Sequence, residues 1–136
     1  MRKCTAAAEV PHRDVLFAIL AAHRRVTSAD LARVPNGLRC ELALAHEGEH
    51  ADHVWDWDHR PSHALWARWT ADGTTRLESV PWCEAAHPSA DEACTLYGDH
   101  GGAHAWELSD PEYETFVRRL CAQAPEWEAL LRARPG

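Results

Sequence analysis

Apolar residues at Val15, Leu16, Ile19 and Leu20, joined by Ala22 and His23, recur at the spacing of one helix face and predict a helix over residues 13–25. Thr27-Ser28-Ala29-Asp30 then has the form of a capping box and opens a short second helix through Leu31 and Val34. Pro35-Asn36-Gly37 closes it. In the middle of the chain the helical period disappears. Residues 64–70 and 75–80 are two short runs carrying Trp66, Trp69, Leu77 and Val80, and they read as strands. Ala71-Asp72-Gly73-Thr74 between them is a hairpin turn. Near the C-terminus, Ser109-Asp110-Pro111-Glu112 combines an N-cap, a first-turn proline and a capping glutamate. Tyr113, Phe116, Val117, Leu120 and Cys121 follow as an apolar stripe, expected to be core, with Cys121 a buried thiol. Pro125 breaks this pattern and starts a last short helix with Trp127, Leu130 and Leu131.

These elements fit an α+β chain of one domain over residues 1–136, with a lobe over 1–80 and another over 81–136. The composition is 46% hydrophobic and 26% charged, which places the chain among folded rather than disordered proteins. A net charge of −7 disfavours general nucleic-acid binding, which needs basic surface to displace counterions. Arg13, Arg24, Arg25 and Arg33 form at most a local patch. No apolar run reaches the length of a membrane span. The stretch 15–22 is too short for one and lacks the small-residue cleavage site of a signal peptide. A cytoplasmic location is therefore expected, where the five cysteines are ligands or free thiols rather than disulfides. Several of the seven tryptophans, including Trp55, Trp57, Trp82 and Trp106, are expected to build the core of so small a domain, with an aromatic binding wall as the competing reading.

The chemistry lies in a repeated phrase. Cys40-Glu-Leu-Ala-Leu-Ala-His46-Glu-Gly48-Glu-His50 is followed 54 residues later by Cys94-Thr-Leu-Tyr-Gly-Asp-His100-Gly-Gly102-Ala-His104. Both read C-x-L-x-x-x-H-x-G-x-H. Thiolate and neutral imidazole are preferred ligands of Zn²⁺, and the doubling predicts two zinc ions per chain. The central glycine argues against a helix and for a knuckle-like turn carrying both histidines.

Each phrase supplies three ligands, and a closed tetrahedral site needs four. For the second copy Cys83 is the expected fourth, giving Cys83, Cys94, His100 and His104, with His87 as competitor. For the first copy the analogous residue is Cys4, giving Cys4, Cys40, His46 and His50. Cys121, His53, Asp56, Asp58, His59 or a water are the alternatives, and a water would leave the site open for catalysis.

The phrase resembles a recurrent C-x-L-P-x-G-H-x-G-x-H-x-W element of small, mostly uncharacterised zinc-binding proteins of actinobacteria and their phages. Cys94, Leu96, Gly98, His100, Gly102, His104 and Trp106 match it, as do Cys40, Leu42, His46, Gly48 and His50. Ala43 and Tyr97 stand where the element has proline. The resemblance implies metal sites of structural role and implies no activity. A second likeness is literal: His46-Glu47-Gly48-Glu49-His50 is the H-E-x-x-H of zincin metallopeptidases, with Glu47 as general base. Finally, the two N-terminal helices have the rhythm of the opening of a winged-helix DNA reader, though the chain leaves that pattern at Pro35-Asn36-Gly37.

The leading expectation is a small zinc-stabilised α+β domain. N- and C-terminal helices flank short β-hairpins and two zinc-knuckle-like sites, and the chain serves as a non-catalytic module for an unidentified protein partner. A zinc hydrolase built on His46, Glu47 and His50 comes second, and a DNA-associated regulator third.

Overall fold

The computed structural model describes residues 1–23, 25–124 and 126. After a two-residue strand β1 (Ala7–Ala8) come α1 (His12–His23) and α2 (Ser28–Arg33), then β2 (Leu38–Arg39), which pairs back onto β1. Strands β3 (His50–Asp56), β4 (His63–Trp69) and β5 (Thr75–Pro81) form an antiparallel meander, and α3 (Pro111–Gln123) ends the described fold. The architecture is α+β, with helices at both ends and the meander between them.

Local sequence accounts for most of these elements. Val15 and Ile19, one turn apart on α1, are each 1% exposed and fix the helix to the core. Thr27 and Asp30 form the reciprocal capping box of α2: Asp30 N–H donates to Thr27 Oγ1 (3.1 Å) and Thr27 N–H to the Asp30 carboxylate (2.9 Å). The element after α2 is β2 rather than a third helix. The hairpin joining β4 to β5 turns at residues 70–74, where Gly73 takes φ 88° and donates to the Thr70 carbonyl. Asp72 braces the turn by accepting from Thr74 N–H (2.9 Å) and the Thr70 hydroxyl.

Strand β4 is the centre of the molecule. Ala64, Leu65, Trp66, Ala67 and Trp69 are all buried, so both faces of the strand are covered. Around it lie Trp55 and Trp57, whose indole N–H reaches Ser79 (3.0 Å), while Trp82 and Trp106 pack partly buried against the same cluster. On the meander's outer side Arg76 of β5 donates twice to Glu49 (2.7 and 3.2 Å) and once to Glu78 (2.9 Å). The guanidinium holds the Glu49 carboxyl below its ordinary range.

Three features differ from the sequence expectation. Strand β3 has no clean alternation in the sequence, because its register shifts between His53 and Trp55 and the bulge breaks the period. The apolar stripe of α3 is not core: no residue of the helix is buried, and Tyr113 and Phe116 are 50% and 55% exposed. At its first turn Asp110 caps the helix and Glu112 meets Arg39 (2.8 Å). Cys121, expected as a buried thiol, is half-buried. Phe116→Ser is accordingly expected to change stability by less than about 0.5 kcal/mol. A thermal melt showing a loss above about 2 kcal/mol would mean that the stripe is covered after all. Pro125 and the short helix expected over residues 126–131 lie outside the described residues, apart from Glu126.

Candidate metal centres

The structure gathers the eight sequence-selected residues into two separate groups. Cys4, Cys40, His46 and His50 form one, and Cys83, Cys94, His100 and His104 the other. Within each, one atom per residue lies within 4.8 Å of all the rest.

The two groups are built by the same backbone. In the first, residues 2–6 pair antiparallel with 40–44: Leu44 N–H donates to Arg2 O (2.9 Å), Cys4 N–H to Leu42 O (2.8 Å), Cys40 N–H to Ala6 O (2.8 Å) and His46 N–H to Ala43 O (3.0 Å). In the second, residues 81–85 pair with 94–98: Gly98 N–H donates to Pro81 O (2.8 Å), Cys83 N–H to Leu96 O (2.8 Å), Cys94 N–H to Ala85 O (3.0 Å) and His100 N–H to Tyr97 O (3.2 Å). Every bond has its counterpart in register. The Ala7↔Arg39 pair in one has its counterpart in the Ala86↔Ala93 bridge of the other, and the first ribbon runs one pair further, to Ala8↔Leu38. Beyond that point the first ribbon closes through α1 and α2, and the second through a short loop. The repeat is thus longer than the phrase that reveals it. Cys4-Thr5-Ala6-Ala7 and Cys83-Glu84-Ala85-Ala86 share C-x-A-A, and that signal picks out Cys4 as the counterpart of Cys83.

Each turn depends on its shared glycine. Gly48 and Gly102 have φ of 77° and 66°, a region that L-residues enter at a cost. The turn aims the two imidazoles through different nitrogens. His46 Nδ1 faces the Glu47 carbonyl (3.2 Å), and His100 Nδ1 the Gly101 carbonyl (2.8 Å). A carbonyl only accepts, so Nδ1 carries the proton and Nε2 is free to ligate. Nε2 of His46 lies 3.5 Å from Cys40 Sγ, and Nε2 of His100 lies 3.6 Å from Cys94 Sγ. His50 and His104 instead present Nδ1, at 3.5 Å from Cys4 Sγ and 3.6 Å from Cys83 Sγ. A tetrahedral ion with metal–sulfur bonds of about 2.3 Å and metal–nitrogen bonds of about 2.05 Å separates its sulfur and nitrogen ligands by about 3.6 Å. The sulfur and nitrogen ligands stand at the separation such an ion imposes.

The electrostatics without an ion point the same way. Burial pushes the Cys40 thiol up to about 11, with Cys4 adding to the rise and the N–H groups of Ala51 and Leu42 opposing it. Burial likewise raises Cys94 and, together with His46, lowers His50. Cys40, Cys94 and His50 thus resist charge on their own, and a bound dication removes that resistance.

The remaining candidates lie elsewhere. His53 pairs with Asp56 (2.8 Å), His59 stacks edge-on against Trp57, and Asp58 and Cys121 belong to neither group. His87 Nδ1 accepts from Ser89 N–H (3.1 Å), and its ring faces Trp106. Residues 46–50 are not helical, so the helix on which a zincin mounts its two histidines and glutamate is absent here. Glu47 is exposed and touches the cluster only through its backbone carbonyl. Glu47→Gln is expected to leave metal content and melting temperature unchanged. Retained metal with altered affinity for a metal-bound water or hydroxide would instead favour a catalytic glutamate. Beside the first cluster, a hollow of about 460 Å³ lined by Lys3, Arg39, Glu41 and Asp52 opens to solvent. Burial and Asp52 push the Glu41 carboxyl there up to about 7.

Two Cys₂His₂ clusters on duplicated ribbons define the class: a small α+β protein with two sites suited to metal ions. No protein family, curated protein or solved structure matches the chain. No described helix is long and apolar enough to cross a membrane.

Proposed function

We propose that this chain is a non-catalytic zinc-binding protein, with one Zn²⁺ in each cluster, that serves as an interaction or regulatory module for a protein partner. The observation that carries the reading is the identity of the two ligand sets. Both offer two sulfurs, one Nε2 and one Nδ1 from the same ribbon-and-turn, at sulfur–nitrogen separations of 3.5–3.6 Å. Two thiolates neutralise a dication, and soft sulfur with imidazole in a tetrahedron selects zinc over magnesium or calcium. Four protein groups per ion leave no position for a reacting water, which supports a structural role over hydrolysis. The resemblance to small actinobacterial and phage zinc-binding proteins is in accord with it. The net charge of −7 and the exposed Tyr113 and Phe116 favour a protein partner over nucleic acid.

The test is metal content together with X-ray absorption on the purified chain. Two zinc ions, each with two sulfur and two nitrogen neighbours, are expected. An oxygen neighbour at either ion would reopen the hydrolase, and absence of zinc would end the proposal.

A further inference from the structure

Residues 1–3 are hydrogen-bonded to segments that adjoin both clusters. On one side they belong to the first cluster's ribbon, through Leu44 N–H to Arg2 O (2.9 Å) and the Lys3↔Ala43 bridge, which leads directly into Cys4. On the other side they join the segment that trails the second cluster. Lys3 N–H donates to Ser109 O (3.0 Å), Ser109 N–H to Met1 O (2.7 Å), and the Met1 amino group to Glu107 O (3.1 Å). Glu107 in turn accepts from His104 N–H through its carboxylate (2.7 Å), and His104 is a member of the second cluster. Backbone continuity at Cys4 and a chain of hydrogen bonds therefore link Cys4 to His104 through Lys3, Ser109, Met1 and Glu107. Met1 is 71% exposed and Arg2 is exposed, so the strap is held by these hydrogen bonds and by Cys4 at its end, with little side-chain burial.

We propose that the two clusters load cooperatively, coupled through the strap of residues 1–3. The inference rests on the zinc reading above. When the first site is empty, Cys4 is released and the strap loses its ribbon. Ser109 and Glu107 then lose their partners, and the second site must order that segment alone. Ordering a shared segment once for two ligands produces positive coupling without any direct contact between them. By reciprocity, filling the second site strengthens the first by the same factor.

Cobalt serves as the probe, because its visible absorption reports each tetrahedral sulfur–nitrogen site as it fills. The wild-type chain is expected to bind two ions with a Hill coefficient above one. Cys4→Ala should bind one ion, about tenfold more weakly than the second site of the wild type. His46→Ala empties the same site without altering the strap and should behave alike. Lys3→Pro removes the donor to Ser109 O while keeping both ligand sets. It should bind two ions independently, and adding His46→Ala to it should leave the second site's affinity unchanged. Amide exchange at Ser109 gives a second readout, protected in the loaded wild type and exposed in His46→Ala. Independent filling in the wild type would overturn the coupling while leaving the zinc reading intact. Coupling that survives Lys3→Pro would assign it to the shared core instead of the strap. A chain that binds neither cobalt nor zinc would overturn the zinc reading and the coupling together.

Discussion

Adding a strong chelator is expected to unfold this chain, with loss of the near-ultraviolet signal from its tryptophans in a single transition. The scale of the effect follows from two magnitudes. Structural zinc in a small Cys₂His₂ site contributes an apparent 10–16 kcal/mol, roughly, at neutral pH. The net stability of a whole domain is only about 5–15 kcal/mol. Cys4, Cys40 and Cys94 belong to the buried cluster itself, so a site that falls apart opens the core with it. Acid should act in the same direction. The Cys40 thiol sits at about 11 without an ion, so at neutral pH the ion must displace its proton. Binding therefore strengthens as pH rises, and through Cys40 alone it weakens about tenfold for each unit that pH falls. Circular dichroism with metal analysis across a chelator titration checks this. A chain that loses both ions and keeps its tryptophan signal would show that the core stands without them.

Trp66→Ala is expected to be the most damaging substitution away from the ligands, costing about 3–5 kcal/mol. Trp66 is fully buried at the centre of β4. Its ring meets Tyr97 edge to face (5.2 Å), Trp82 (6.0 Å) and His53 (5.8 Å). Tyr97 and Trp82 form a bridge inside the second ribbon, so the indole ties the meander to that cluster. The loss should appear as a lower melting temperature even with zinc in excess. Trp66→Phe should cost less, because the indole N–H has no partner among the described residues and no hydrogen bond is lost with it. Equal losses for the two variants would mean that the nitrogen makes a bond that the packing argument leaves out.

How much of the chain was legible beforehand depends on the distance over which each interaction acts. The capping box at Thr27 and Asp30 and the turn at Gly73 are settled within a few residues, and both stand as the sequence predicts. Strand β3 was not legible, because its bulge moves Val54 and Trp55 out of step with any alternation. The stripe of α3 misled for a different reason. Amphipathic spacing shows that a helix has an apolar face, and it does not show that the domain has anything to place against it.

The metal ligands divide along the same line. The sequence by itself determined the three-ligand phrase, its doubling and the turn that each glycine requires, because ligand type and local backbone are written in adjacent residues. Only the tertiary structure decided which group joins Cys40, His46 and His50. Cys4 lies on the far side of two helices, and its place is set by hydrogen bonds between residues 2–6 and 40–44. That pairing is long-range, and the C-x-A-A shared by residues 4–7 and 83–86 marks Cys4 as a candidate without fixing it. A separate bridge, Arg2↔Ser109, joins the start of that ribbon to the segment that follows the second cluster.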